Sequence, residues 1–131
     1  MIGGVVLDAS ALADAATGKT LYAKARIVTA AESGIVLAVP TAALAAAWAE
    51  VAPSGRPFLD LVPTLSVAVV ITLDHTAAPE VGLLLAAAPP GPDLAAAHVV
   101  WSAQRRGWPV LTANPRPLLA IDHRLEIERL P

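Results

Sequence analysis

The sequence contains no cysteine, which excludes disulfide bonds and thiolate metal sites. Charged residues are also scarce, at 15% of the chain against 56% hydrophobic residues, and this argues against a disordered chain. The net charge of −2 gives no general attraction to nucleic acid. Because so little polar surface is available, some apolar helical surface is expected to lie in an interface rather than in water.

Long hydrophobic runs are absent too. The longest uncharged run, Ser33–Ala49, is shorter than the roughly 20 residues that a membrane-spanning helix needs, and Pro40 interrupts it. The first positive charge is Lys19, so no basic segment opens the chain and we expect no secretory signal. We therefore expect a cytoplasmic protein without a membrane segment. The length of 131 residues fits one domain over residues 1–131.

Several common functional motifs are missing. Gly3-Gly4 precedes the first predicted strand instead of following it, so the chain has no glycine-rich phosphate loop. A receiver-type phosphoacceptor needs a lysine after its last strand, and no lysine follows Lys24. His75, His98 and His123 do not have the spacing of metal ligands, and we expect them on the surface.

The stretch Val5–Ser10, VVLDAS, is a short apolar strand that ends in a carboxylate. A run that is apolar on both faces is typical of a central strand in a parallel sheet covered by helices. Asp8 then lies at the carboxyl end of that strand, where open α/β sheets bind their ligands. We therefore expect the functional residues to gather around Asp8.

Strands and helices alternate along the chain. The hydrophobic pattern predicts strands at Val5–Leu7, Ile35–Val39, Leu65–Leu73, Val110–Thr112 and Leu125–Arg129, the last at an edge of the sheet. Capping residues, prolines and glycines predict helices at Ser10–Thr17, Thr20–Ser33, Thr41–Val51, Phe58–Leu61, His75–Ala88 and Asp93–Arg106, with Ser10 as the first N-cap. This alternation predicts a three-layer α/β sandwich with a mostly parallel sheet of four or five strands and helices on both faces. The core is expected at Val5–Leu7, Val36–Val39, Val67–Ile71 and Val110–Leu111.

Two surface features leave alternatives open. Lys19, Lys24 and Arg26 cluster in the sequence, either as ordinary solvated helix ends or as a local groove for phosphates. The predicted helix His75–Ala88 is apolar around most of its circumference, so it is buried in the core or covered by another chain. We expect a homodimer or a complex with a partner.

Asp93 is the first residue expected to meet Asp8. It opens a helix, so one interpretation is an ordinary N-cap. In the other interpretation, His98, Ser102 and Arg105 mark the solvent face at helical spacing, and Asp93 faces the sheet. Two carboxylates close together repel each other unless a cation lies between them, and all-oxygen sites of this kind suit Mg²⁺ or Mn²⁺.

Thr112 and Asn114 follow the fourth predicted strand, on the rim where Asp8 is expected. One interpretation is a turn before Pro115, since asparagine is a common turn residue. The other adds a hydroxyl and an amide oxygen to the acidic site.

Together, VVLDAS, the strand leading into Pro40, DLAAAHVV after Asp93, and VLTANP resemble the PIN domain, and in particular the PIN-type toxins of bacterial VapBC modules. The resemblance covers nearly the whole chain and rests on the order and spacing of these motifs. It implies a metal-dependent ribonuclease, usually a dimer and often held by a small antitoxin. In such enzymes clustered acids bind Mg²⁺ or Mn²⁺ and activate water against an RNA phosphodiester.

The resemblance also assigns roles to individual residues. Asp8 matches the first acid of the family, with Ser10 as the following hydroxyl residue, and Asp93 matches the third acid. Asn114 replaces the usual fourth acid, with Thr112 before it in the same turn. Asp8 and Asp93 are then the catalytic residues, Asp8, Asp93 and Asn114 the metal ligands, and Ser10 and Thr112 supporting residues.

The second acid of the family should fall at about Ala46, which is apolar. Glu50 lies one turn further on the same face, about 6 Å along the helix axis, and we expect it to point elsewhere. With fewer anions to offset dehydration of the ion, metal binding should be weak. Two hypotheses follow: an active Mg²⁺- or Mn²⁺-dependent endoribonuclease, or a PIN-like protein that has lost catalysis and acts by binding.

Overall fold

The computed structural model describes residues 3–131 and is built on a five-stranded sheet in which every strand pair is parallel. The strands are β1 (Gly4–Leu7), β2 (Val36–Pro40), β3 (Ala68–Ile71), β4 (Val110–Thr112) and β5 (Ile127–Arg129). Their order is β3-β2-β1-β4-β5, so the apolar strand before Asp8 is the central one. The predicted α/β class and the edge position of the last strand are confirmed.

Seven α-helices connect the strands within residues 3–131. They are α1 (Ala9–Thr17), α2 (Tyr22–Ser33), α3 (Thr41–Glu50), α4 (Arg56–Leu61), α5 (Ala78–Ala87), α6 (Leu94–Arg106) and α7 (Arg116–Ile121), with 3₁₀ turns at Pro53–Gly55 and Val62–Thr64. Helix α1 packs against α2, α3 and α4, and α6 packs against α5 and α7. This arrangement agrees with the predicted three-layer sandwich.

The topology explains where a site can form. The chain runs outward from β1 through β2 to β3, and then crosses to the other side of β1 to form β4 and β5. The order of the strands therefore reverses between β1 and β4, and such a switch point leaves a crevice beyond the carboxyl ends of the strands. Asp8 and Ala113 directly follow these two strands, so the crevice lies beside them.

The core is centred on β1, β2 and β4, as predicted. Val5–Leu7 and Leu37–Val39 have no exposed surface, and neither does Val110. The prediction for β3 is wrong at two positions, because Val69 and Val70 are 41% and 42% exposed. The reason is that β3 is an edge strand, so fewer neighbours cover its two faces.

The prediction for the solvent face of the helix after Asp93 is also wrong. His98 and Ser102 are fully buried rather than on the solvent face of α6, because α6 packs against α3 and the sheet as well as against α5 and α7. Helix α7 has no counterpart in the sequence prediction. In α5 only Val81 is buried and Leu83 is 70% exposed, so α6 covers one side of this helix and the other side is left open.

Within residues 3–131, none of the helices is long and apolar enough to cross a membrane.

Candidate functional site

Asp8 lies at the end of the central strand and also caps α1. Its Oδ1 accepts a hydrogen bond from the backbone N–H of Ala11 at 2.8 Å, and the Ser10 hydroxyl donates to the same oxygen at 2.7 Å. The predicted N-cap, Ser10, is therefore inside the helix, and Asp8 is the cap. A carboxylate in this position satisfies an N–H group that has no partner within the helix. Local folding of VVLDAS thus fixes the orientation of Asp8.

Ser10 connects the ends of β1 and β4. Its Oγ lies 3.2 Å from Oγ1 of Thr112, within hydrogen-bonding distance, and accepts a hydrogen bond from the N–H of Ala113 at 2.8 Å. The hydroxyl oxygen of Thr112 in turn accepts one from the N–H of Asn114 at 2.9 Å. The two residues predicted to support the site therefore hold Asp8 and the Asn114 turn together.

Asp8 is only 8% exposed. Burial raises its pKa, since the charged form is poorly solvated, while hydrogen bonds from Thr112, Ser10 and backbone N–H groups act in the opposite direction. No ion pair of residues 3–131 includes Asp8. Its charge is therefore offset by hydrogen bonds alone, and a bound cation would stabilise the ionised form.

Asp93 is the N-cap of α6, as the first interpretation of the sequence held. Its Oδ1 accepts a hydrogen bond from the N–H of Ala96 at 2.8 Å. The residue is exposed at the beginning of the helix rather than turned into the sheet. The cap uses one carboxylate oxygen, so capping and ligand binding by Asp93 are compatible.

A cavity of about 330 Å³ brings the predicted residues together. Asp8, Asp93 and Asn114 all line it, and so does Ser10. They come from the ends of β1 and β4 and the beginning of α6, three places far apart in the sequence. The cavity therefore lies at the switch point of the sheet, and its polar wall consists of carboxylate, amide and hydroxyl oxygens.

Glu50 lines the same cavity, so the prediction that it points elsewhere is wrong. It is the last residue of α3, and its exposed side chain is long enough to reach the cavity from one turn beyond Ala46. Ala46 itself is not among the residues that line this cavity within the described chain. An acid from the end of α3 therefore lines the cavity, although not at position 46, where the resemblance places one.

His98 connects the two helices that carry Glu50 and Asp93. Its Nδ1 accepts a hydrogen bond from the N–H of Ala42 in the first turn of α3 at 3.3 Å, and its buried Nε2 has no hydrogen-bond partner among residues 3–131. Burial lowers the pKa of His98, so the imidazole is held in its neutral form. Because α3 begins after Pro40 and no side chain of its N-cap position within residues 3–131 accepts from its first turn, His98 supplies the acceptor for the N–H of Ala42.

Helix α7 provides a wall of the cavity that the sequence analysis missed. Pro117 and Leu118 line the cavity beside Asn114. The signal was present in Pro115 and Pro117, because proline is favoured in the first turn of a helix.

The donor set fits a hard divalent cation in kind, since every available ligand atom is an oxygen. It is incomplete in number. Within residues 3–131, no three His, Asp or Glu side chains lie close enough together to form a metal-binding group. Water would have to supply the remaining ligands, and Mg²⁺ usually keeps several waters when it binds to a protein.

Comparisons with known proteins add no family to this description. No protein-family model matches the chain, and no curated protein matches it.

Proposed function

We propose that the protein is a Mg²⁺- or Mn²⁺-dependent endoribonuclease of the PIN type, the toxin component of a toxin–antitoxin pair. The observation that carries the proposal is the cavity at the switch point, which Asp8, Glu50, Asp93 and Asn114 line. Three acids on one cavity and a parallel sheet with Asp8 directly after its central strand agree with what the resemblance implies.

The residues of the chain would act as follows. Asp8 and Asp93 each use one oxygen as a helix cap, and this fixes both carboxylates before a ligand arrives. Asp8, Asp93 and Glu50 would contribute carboxylate oxygens to a divalent ion, in part through water, and Asn114 would add a neutral oxygen. A bound divalent ion would supply positive charge beside an RNA phosphodiester and would lower the pKa of a bound water.

A second candidate, a PIN-like protein that binds without catalysis, rests on a different observation. Fewer than three acids within residues 3–131 approach each other as closely as a metal-binding group requires. Asn114 also removes one charge from the site of the family. If the cavity binds metal too weakly for catalysis, it would still be a folded cavity that could bind RNA without cleaving it.

Partners are part of the proposal. The exposed apolar surface of α5, with Leu83 at its centre, would be covered in a homodimer. An apolar groove of about 290 Å³ between α2 and α4, lined by Val28, Phe58 and Leu61, would take a helix of a small antitoxin. Both surfaces are rich in aliphatic side chains, in agreement with the low share of charged residues in the sequence.

The test is cleavage of a labelled single-stranded RNA with Mn²⁺. The wild type should cut the RNA and lose this activity in EDTA, and Asp8→Asn should cut at least 100-fold more slowly, since it removes the central charge. Asp60→Asn on α4 is the matched control, because Asp60 is exposed and does not line the cavity. No cleavage by folded wild type over a range of Mn²⁺ concentrations would favour the second candidate.

A further inference from the structure

A second cavity, of about 430 Å³, adjoins the acid-lined one. Ser10 and Glu50 line both cavities, so the two spaces share a wall. The Asn114 turn borders both as well, since Ala113 lines the second cavity and Asn114 the first. The two cavities therefore lie side by side, and Ser10 and Glu50 stand between them.

Lys19 is the cation of this second cavity. The sequence groups it with Lys24 and Arg26, but the structure gives the three side chains different surroundings. Arg26 forms an ion pair with Glu128 at 2.7 Å, and the Lys24 ammonium lies 5.1 Å from the centre of the Phe58 ring. The sequence left open whether these three residues are solvated helix ends or form a groove for phosphates. Because Lys24 and Arg26 contact other side chains, we consider a phosphate contact only for Lys19.

Asp14 gives the second cavity a buried hydrogen-bond acceptor. It is 5% exposed, and its Oδ1 accepts a hydrogen bond from the Thr20 hydroxyl at 2.9 Å. It takes part in no ion pair of residues 3–131. A carboxylate that lines a cavity can accept a hydrogen bond from an amino group, as acidic side chains do from cytosine.

The charges of the lining exclude a simple phosphate groove. Lys19 contributes one positive charge, while Asp14 and Glu50 contribute two negative ones. A ligand that suits this set has an anionic end for the lysine and a neutral, hydrogen-bonding end for the acid. A nucleotide has both, and the volume lies within the range of small-molecule sites, about 300–1,000 Å³.

We propose that the second cavity binds the nucleotide next to the scissile phosphate of single-stranded RNA. Lys19 contacts the phosphate of this nucleotide, and Asp14 accepts a hydrogen bond from the exocyclic amino group of its base. The inference rests on the proposed ribonuclease function, whose substrate it specifies further. Cytosine, adenine and guanine carry such an amino group and uracil does not, so uridine is disfavoured at this position.

The experiment measures binding rather than cleavage. Fluorescein-labelled oligocytidine and oligouridine of eight nucleotides are titrated with wild-type protein in EDTA, and fluorescence anisotropy is followed over a range of salt concentrations. Wild type should bind oligocytidine at least threefold more tightly than oligouridine. Lys19→Gln should weaken both by a similar factor and reduce the slope of log K against log salt by about 0.7, the value for one phosphate contact on a single strand.

Two further variants make the result specific. Asp14→Asn, checked for folding by thermal unfolding, should reduce the preference for oligocytidine while leaving the salt slope unchanged. Lys24→Gln removes the same charge outside the cavity and should leave slope and preference as in wild type. The inference would be overturned if Lys19→Gln and Lys24→Gln had equal effects. It would also be overturned if wild type bound the two oligonucleotides equally or bound no RNA.

The outcome is separable from that of the proposed function. Cleavage that depends on Asp8 but does not respond to Lys19→Gln would overturn the nucleotide cavity alone. If RNA binding depends on Lys19 but the protein cleaves no RNA with any divalent ion, the proposed ribonuclease function alone would be overturned.

Discussion

The imidazole of His98 accepts a hydrogen bond from the backbone N–H of Ala42, and this contact joins α6 to the first turn of α3. The two helices end or begin at the site, since Glu50 is the last residue of α3 and Asp93 caps α6. The contact needs a neutral ring, because protonation would convert the acceptor Nδ1 into a donor that faces another donor. The relative placement of two site acids is thus coupled to the protonation of a buried histidine.

This coupling predicts a loss of stability in mild acid. Histidine in the unfolded chain titrates near 6.5, and burial lowers the pKa of His98 in the folded protein. As pH falls below about 6.5, the unfolded state binds a proton at His98 before the folded state does, so the free energy of unfolding falls. The contribution is at most about 1.4 kcal/mol per pH unit, and it is absent above about pH 7.5.

His98→Asn should flatten this pH dependence, because its side-chain oxygen can still accept from Ala42 but does not titrate. Urea denaturation between pH 5 and pH 8 measures the effect, and His123→Gln is the control at an exposed histidine. The same slope in His98→Asn as in wild type would contradict the assignment.

Asp8→Asn should raise the melting temperature by a few degrees at pH 7. Burial raises the pKa of Asp8 in the folded protein. Protonated Asp8 therefore adds to the free energy of unfolding below pH 3.8, and this contribution is lost as pH rises through the folded-state pKa. Asparagine keeps both cap hydrogen bonds without the buried charge. The gain should therefore shrink in acid, as followed by calorimetry or circular dichroism.

Asp93→Asn is the matched control for this prediction, because it also exchanges aspartate for asparagine at an N-cap but at an exposed position. It should change stability by less than about 0.5 kcal/mol. A melting temperature that drops in Asp8→Asn while Asp93→Asn is unchanged would show that burial of the Asp8 charge is not unfavourable.

Glu50→Gln should lower the affinity for Mn²⁺ on the order of tenfold, since it replaces a charged oxygen ligand by a neutral one. The readout is the rise in melting temperature that Mn²⁺ causes, because a ligand of the folded state stabilises it. Ala46→Glu tests the position at which the resemblance places the acid. We expect Mn²⁺ to raise the melting temperature of Ala46→Glu no more than that of wild type. A larger rise in Ala46→Glu, together with a wild-type rise in Glu50→Gln, would place the acid at position 46 instead of at Glu50.

Leu83→Lys should dissociate the proposed homodimer. A buried leucine contributes about 1.5–3 kcal/mol, so a symmetric interface centred on α5 should weaken at least tenfold. Sedimentation equilibrium of wild type and variant measures this, with Leu61→Lys on α4 as a control at a similarly exposed leucine. A wild type that stays monomeric at high micromolar concentration would contradict the prediction.

The sequence predicted the sheet and most of the site for a simple reason. Apolar strands such as Val5–Leu7 are recognisable at short range, and parallel strands bring residues like Asp8 and Asn114 to one rim whatever the intervening loops do. Glu50 and α7 were missed because their place depends on how helices pack. A shift of one turn decides whether Ala46 or Glu50 borders a cavity, and periodicity alone does not fix that shift.

His98 was missed for a related reason. Its spacing with Arg105 on α6 indicated a solvent face, but α3, α5, α7 and the sheet all pack against this helix and cover most of it. The burial of His98 therefore depends on tertiary contacts. The hydrogen bond that its Nδ1 accepts from Ala42 at the beginning of α3 offsets part of the cost of burying the ring.

The central claim is that the cavity holds a divalent cation through Asp8. Isothermal titration of the metal-free protein with Mn²⁺ tests it most directly, beside Asp8→Asn and the exposed control Asp60→Asn. We predict weak but saturable binding to wild type and to Asp60→Asn, and at least a tenfold loss of affinity in Asp8→Asn. Identical isotherms for all three folded proteins, or no saturable binding to any of them, would contradict the account.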